Sequence, residues 1–244
     1  MNVISAMAGI TDGEYCKKFT RGNVDAVTIG GYNIDDRSIS AARQIVSTSD
    51  RLEFIHEISC ISDEITRQVE IIRDYNRSWT GRVFVNVRLS SEKSIKNIYD
   101  NHDIDVIEVN CHCRQIPMLN AGCGERLLHD TDKLSRIIEA ITKHMDCEIS
   151  VKIRSNVQGT NTIDLIKKLE NHDITYIHVD ATKPRVAQAD YEMIKKIRQH
   201  TTHHIIGNNN IKTRKDYEKM IKYGANSVSI ARETLNGNVD KIFI

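Results

Sequence analysis

The sequence predicts an α/β protein, a TIM (β/α)8 barrel formed as a single domain over residues 1–244. Three observations predict it. The length of 244 residues is close to the roughly 250 that eight β-then-α units occupy. Eight short β-branched runs recur along the chain, and most are followed by a longer stretch with apolar residues at i, i+3, i+4 and i+7. The runs are nearly all apolar rather than alternating, as parallel strands covered on both faces are. A doubly wound open sheet shares this alternation, but the Gly-x-Gly-x-x-Gly turn that would mark it is missing after the first strand.

Strands are expected over 3–8, 25–30, 82–88, 106–110, 149–154, 176–181, 204–207 and 227–231. The helical periods are clear over 62–75 (Ile65, Val69, Ile72), 132–144 (Leu134, Ile137, Ile138, Ile141), 162–170, 191–200 and 215–223. Ser62 and Asp132 are the expected N-caps of the first two. Helices over 38–46 and 91–99 are less regular, because polar residues blur the period. Pro117 and Pro184 are the two prolines, and no linker or low-complexity tract divides the chain.

Composition narrows the function classes. Lys and Arg total 34 against 33 Asp and Glu, a formal charge of +1, so no basic or acidic tail points to a polyanion or a membrane surface. No apolar run reaches the ~20 residues of a membrane span, and Met1-Asn2-Val3 carries no basic leader; a cytoplasmic protein is expected. The six cysteines then suit free thiols, catalysis or metal better than a disulfide framework. Cys16, Cys60 and Cys147 read as small core hydrophobes.

In such a barrel the chemistry collects where strands end, and the unusual residues lie there. The first strand ends in Ala6-Met7-Ala8-Gly9-Ile10-Thr11-Asp12, small enough for a flat ligand to approach the backbone. The third carries Asn86 in an apolar run, either a barrel-interior hydrogen bond or a ligand contact. After the fourth come Asn110-Cys111-His112-Cys113-Arg114 and then Gly122-Cys123-Gly124. Zinc-type spacing would separate close cysteines by two to four residues, which this run does not, so no metal is assigned. A reactive thiol at Cys113 is the sharper reading, with Arg114 beside it favouring the thiolate.

The fifth strand places Lys152 in an apolar run, where a lysine needs a partner or an exit to solvent. The sixth carries His178, a core histidine if it stands alone. The seventh and eighth end in Gly207-Asn208-Asn209-Asn210 and Ala231-Arg232. These are the two loops where barrels bind phosphate, although each could also be an ordinary surface loop.

Together these segments resemble the tRNA-dihydrouridine synthase family, from Ser5 to Arg232. Ser5 through Asp12 is similar to that family's Pro-Met-Ala-Gly-Val-Thr-Asp opening. Asn110 through Arg114 resembles its Asn-x-Gly-Cys-Pro, with Cys113 at the catalytic cysteine. Val151-Lys152-Ile153-Arg154 resembles its Val-Lys-Ile-Arg, and the 206–211 and 224–232 segments resemble its last two glycine-containing motifs.

The resemblance implies an FMN-dependent oxidoreductase. Hydride would pass from reduced FMN to C6 of uracil while Cys113 protonates C5, and Asn110 would bind the base. Ala6, Met7, Ala8, Asn86, Lys152 and His178 would contact the flavin; Asn208, Asn209, Asn210, Ala231 and Arg232 would hold its phosphate. It also implies uridine in tRNA as substrate and NAD(P)H or another electron donor, with no membrane partner. The chain departs from the family at His112, Arg114, Asn86 and Ala231, and it reads as a short member without the C-terminal helical domain. RNA affinity would then come from patches such as 183–185 or 212–215. The alternatives are a dihydroorotate-dehydrogenase-like enzyme on a free pyrimidine, and a non-catalytic flavin- or metal-binding module built on Cys111, Cys113 and Cys123.

Overall fold

The computed structural model describes residues 1–100, 103–183, 186 and 188–243. Eight parallel strands close in sequence order into a barrel: β1 (Asn2–Ile4), β2 (Ala26–Asn33), β3 (Arg82–Arg88), β4 (Val106–Cys111), β5 (Glu148–Arg154), β6 (Tyr176–Asp180), β7 (His204–Asn208) and β8 (Ser227–Ile230). Around them run α1 (Gly13–Cys16), α2 (Asp36–Thr48), α3 (Ile61–Tyr75), α4 (Ile116–Asn120), α5 (Thr131–His144), α6 (Thr162–Leu169), α7 (Tyr191–Arg198), α8 (Arg214–Lys222) and α9 (Val239–Ile242). The expected fold is the observed one.

The differences from expectation are local. The first strand stops at Ile4 because the chain turns at once: Thr11 Oγ1 accepts the Met7 N–H at 2.8 Å and donates to Gly30 O at 2.9 Å. The second strand runs three residues past its expected end, to Asn33, through a register shift between Gly30 and Tyr32. Segment 92–98 winds as a 3-10 helix. Ser62 lies inside α3, whose N-cap is Cys60, and Asp132 lies in the first turn of α5, which is capped by Asp130 instead. Cys16 is buried as expected, but Cys60 is exposed and Cys147 only half-buried.

One large apolar cluster fills the space between strands and helices, including Ile29, Val85, Val109, Val151 and Ile177. A second occupies the lower barrel interior around Val3, Ala26, Phe84, Val106, Tyr176 and Ile206. Above that plug the inward-facing residues turn polar, which is the first sign of where the chemistry sits. Among the described residues no helix is long and apolar enough to cross a membrane.

Candidate functional site at the barrel mouth

Strand register brings the polar residues together. Asn86 pairs with Glu108, Glu108 with Ser150, Asn110 with Lys152 and Lys152 with His178 on neighbouring strands. Glu108 is the hub, fully buried. Its carboxylate accepts from Asn86 Nδ2 at 2.8 Å, Ser150 Oγ at 3.1 Å and His178 Nδ1 at 2.7 Å, with Lys152 Nζ 3.9 Å away. Burial alone would raise its pKa, but His178 and Lys152 outweigh burial and hold it at about 2. A buried anion surrounded by donors and two basic groups is the arrangement under which a carboxylate survives in an interior.

From Glu108 a hydrogen-bonded run leads outward to the thiol. Asn110 Nδ2 donates to Asn86 Oδ1 at 2.9 Å, and Asn110 Oδ1 accepts the N–H of Cys113 at 2.9 Å and of His112 at 3.1 Å. Gly124, at φ +61°, closes the other side of the loop: a Cβ there would sit 2.3 Å from the Cys113 carbonyl oxygen. Cys113 is buried beside Cys123, Met118, Ala41, Ala42 and Ile45.

The cation that neighbours Cys113 is Arg88, not Arg114, whose side chain is exposed. Burial would lower the Arg88 pKa, yet Cys113 and Glu53 around it raise it. Arg88 pairs with Glu53 at 2.5 Å, both buried. Glu53 belongs to a segment lying over the turn at Gly9, where a Cβ would come 2.4 Å from Leu52. Phe54 of that segment accepts from Asn33 Nδ2 at 2.9 Å and packs on Tyr32.

Lys152 reaches across the barrel to donate to Ser5 Oγ at 2.5 Å; burial lowers its pKa against the pull of Glu108 and Asp180. Ala6, Met7 and Ala8 follow Ser5 and remain partly open. His178 is wholly enclosed, and its second ring nitrogen meets Ser229 Oγ at 2.6 Å, so it braces the site from beneath. Ser229 Oγ also accepts Asn208 Nδ2 at 2.6 Å, which turns the Asn208 side chain inward.

Asn209 donates to Thr182 Oγ1, and Asn209 and Asn210 have φ of 90° and 54°. Among the described residues, no protein acceptor is recorded for the main-chain N–H groups of Asn209, Asn210, Ala231 and Arg232. Unspent donors on left-handed backbone at the last two loops suit a phosphate. Arg232 is exposed there. Of the two expected RNA-facing patches, Pro184 and Arg185 lie outside the described residues, while Lys212 and Lys215 are exposed.

The sequence reading missed a second cluster, at the ends of β4, β5 and β6. His112 Nε2 lies 2.5 Å from Asp180 Oδ2, and Arg154 bridges Asp180 at 3.1 Å and Glu125 at 3.4 Å. Thr182 Oγ1 donates to Asp180 Oδ1 at 2.5 Å. A charged residue at the end of each of two neighbouring strands (Arg154, Asp180) was the available signal. His112 and Cys113 therefore point to different sides and form no Cys-His pair.

The three cysteines of the metal-module alternative also separate: Cys111 lies in the main core, Cys113 and Cys123 in the smaller cluster. Among the described residues no group of three or more His, Cys, Asp or Glu is placed to hold a metal ion.

Comparison with known proteins shows the family. The chain is 34% identical to the uncharacterized protein MJ0144 of Methanocaldococcus jannaschii, over 98% of this chain and 91% of that one. It is 22% identical to tRNA-dihydrouridine synthase B of Pseudomonas aeruginosa over 94% of this chain, and 25% identical to a probable tRNA-dihydrouridine synthase of Rhizobium leguminosarum bv. phaseoli over 54%. The matches span 64% and 44% of those two relatives. Thiamine phosphate pyrophosphorylase from Pyrococcus furiosus superposes with a TM-score of 0.54 at 11% identity over 99% of this chain and 92% of that one, a likeness of fold alone. Residues 93–237 match the dihydrouridine synthase (Dus) family. With the thiol, its asparagine and the lysine all within or beside that stretch, the chain belongs to the dihydrouridine synthase family.

Proposed function

We propose that the protein is an FMN-dependent reductase of the dihydrouridine synthase type, acting on the C5–C6 bond of uracil, with uridine in tRNA as the substrate class and NAD(P)H or another donor supplying electrons. The observation that carries this reading is the continuous run Glu108–Asn86–Asn110–Cys113, with links of 2.8, 2.9 and 2.9 Å. It ties the thiol loop to a buried anion deep in the barrel. A proton donor must be held within hydrogen-bond reach of its target, and such a run removes the loop's freedom to drift.

The residues fit FMN. The partly open turn at Ala6, Met7 and Ala8 offers a surface for a planar ring, Lys152 donates to Ser5 at the start of that turn, and the unspent N–H groups at Asn209, Asn210, Ala231 and Arg232 suit its phosphate. Bound FMN would supply the hydride for C6 of uracil. Cys113 delivers the proton to C5, and Asn110 fixes the loop that carries the thiol. Lys152 holds positive charge beside the ring, while Glu108 and His178 keep Lys152 and Asn86 in place.

The test is an absorbance spectrum of the purified protein with mass analysis of what heat releases, followed by an assay of uridine reduction in tRNA. Flavin bands and released FMN are expected; a colourless protein that takes up no added FMN defeats the reading.

A further inference from the structure

Between α2 and α3 the chain runs over residues 51–57 as a strap without regular structure. Among the described residues, no main-chain N–H of this stretch finds a protein acceptor, so side chains hold it down. Leu52 lies against Gly9, directly after the turn at Ala6, Met7 and Ala8. Glu53 enters the interior to meet Arg88 at 2.5 Å, the Phe54 carbonyl accepts from Asn33 Nδ2 at 2.9 Å, and the Phe54 ring rests on Tyr32 with centroids 5.1 Å apart. Ile55 packs on the small cluster that contains Cys113, Met118 and Cys123. The strap therefore spans from the turn to the thiol, and Cys113 is only 8% exposed.

This closed position conflicts with the chemistry beneath it. An acid must come within hydrogen-bond reach of the atom it protonates, and a thiol so enclosed meets no ring of a pyrimidine's size. The closed strap also leaves Glu53 Oε1, Arg88 Nε and His56 Nε2 buried without a hydrogen-bond partner. Such groups carry an unreturned desolvation cost, and water satisfies them once the strap lifts. A segment with few main-chain bonds and unmet polar atoms belongs to the part of a fold that opens most readily.

We propose that residues 51–57 are a gate over the mouth, closed on Cys113 in this structure and lifted to admit a planar base. The Glu53–Arg88 pair is its latch, and Phe54 and Ile55 are its cover. This deepens the proposed uracil chemistry and rests on it for the identity of the base, but its test reads the thiol alone.

The probe is N-ethylmaleimide, a planar ring of about a pyrimidine's size that alkylates accessible thiols. The purified protein is treated under native conditions, and each cysteine is followed by peptide mass spectrometry. Exposed Cys60 sets the open rate, while Cys16 and Cys111, buried in the main core, report global unfolding. In wild type Cys113 should react roughly ten-fold or more slowly than Cys60, as a thiol reached only through local opening does. Ile55→Ala and Asn33→Ala loosen the cover without disturbing a charge. Each should speed Cys113 by about five-fold or more, the worth of one lost contact in an opening equilibrium, with Cys16 and Cys111 still protected. Glu53→Gln opens the latch but strands Arg88 beside the thiol, so the two neutral variants decide.

Cys113 reacting as fast as Cys60 in wild type, or at the wild-type rate in both variants, would overturn the proposal. Acceleration of Cys113 in step with Cys16 and Cys111 would overturn it as well, since the thiol would then be reached only by global unfolding. The expected rates in a protein that takes up no FMN would leave the gate standing and remove the reductase reading. Reduction of uridine by a protein whose thiol reacts equally in all three forms would do the reverse.

Discussion

Glu108 and His178 meet inside the barrel with Oε2 2.7 Å from Nδ1, and neither is open to solvent. The pair sits between the apolar plug below and the thiol loop above, so both stability and chemistry depend on its protonation.

Acid should expose that dependence. The Glu108 carboxyl titrates at about 2 in the fold against an ordinary 4.5. A depressed carboxylate contributes stability that is present above its unfolded pKa and is lost as the pH falls through the folded one. The melting temperature of wild type should therefore drop between about pH 4.5 and 2 more steeply than that of Glu108→Gln, which starts lower because its basic neighbours lose their anion. Parallel profiles over that window would show that Glu108 is not the group responsible.

Replacing the thiol separates cofactor from chemistry. Cys113→Ala should keep bound FMN and its reduction yet lose uridine reduction by roughly 10²-fold or more, the range of a positioned acid. Stopped-flow traces of flavin reoxidation by tRNA measure this directly, and an unchanged rate would remove Cys113 from the mechanism.

The Arg88–Glu53 pair makes a thermodynamic prediction. Removing one partner of a buried pair leaves the other charge uncompensated, so Arg88→Met or Glu53→Gln alone should cost about 3–5 kcal/mol. The double variant should cost less than the worse single variant, because no charge is stranded. Urea unfolding of the four proteins closes the cycle; simple additivity would mean the pair is not coupled.

Gly31 is a backbone position with no space to spare. A Cβ there would lie 2.7 Å from Asn86 Oδ1, 3.2 Å from Arg88 Nε and 3.6 Å from Asn110 Nδ2. Gly31→Ala should cost about 1–3 kcal/mol by overpacking and reduce turnover, since the displaced atoms belong to the run that fixes Cys113. Retained activity with lowered stability would mean that Asn86 and Asn110 tolerate the shift.

The fold was legible because a parallel strand buried on both faces must be written as a β-branched run; Arg82–Arg88 matches its expected bounds at both ends. The first strand was overread because Ala6 through Ala8 continue its apolar run past Ser5, and what ends it is a hydroxyl four residues beyond Met7. α4 was missed because a five-residue helix carries too little period to register.

At the site, Lys152, Asn110 and Cys113 stood out as polar groups at strand ends. Glu53 with Arg88 did not, since partners 35 residues apart leave no local pattern. Neither did the pairing of His112 with Asp180, 68 residues away.

The paired charges of the mouth bear on which pyrimidines the proposed reaction can take. Lys152 faces Glu108, Arg88 faces Glu53, and Arg154 lies between Asp180 and Glu125. Each cation is already answered by a resident anion, so a pyrimidine bearing its own carboxylate would have to evict one of them and strand it in the interior. Under the proposed function, a mouth arranged this way favours an uncharged ring over its acidic relatives without any of these residues having to touch it.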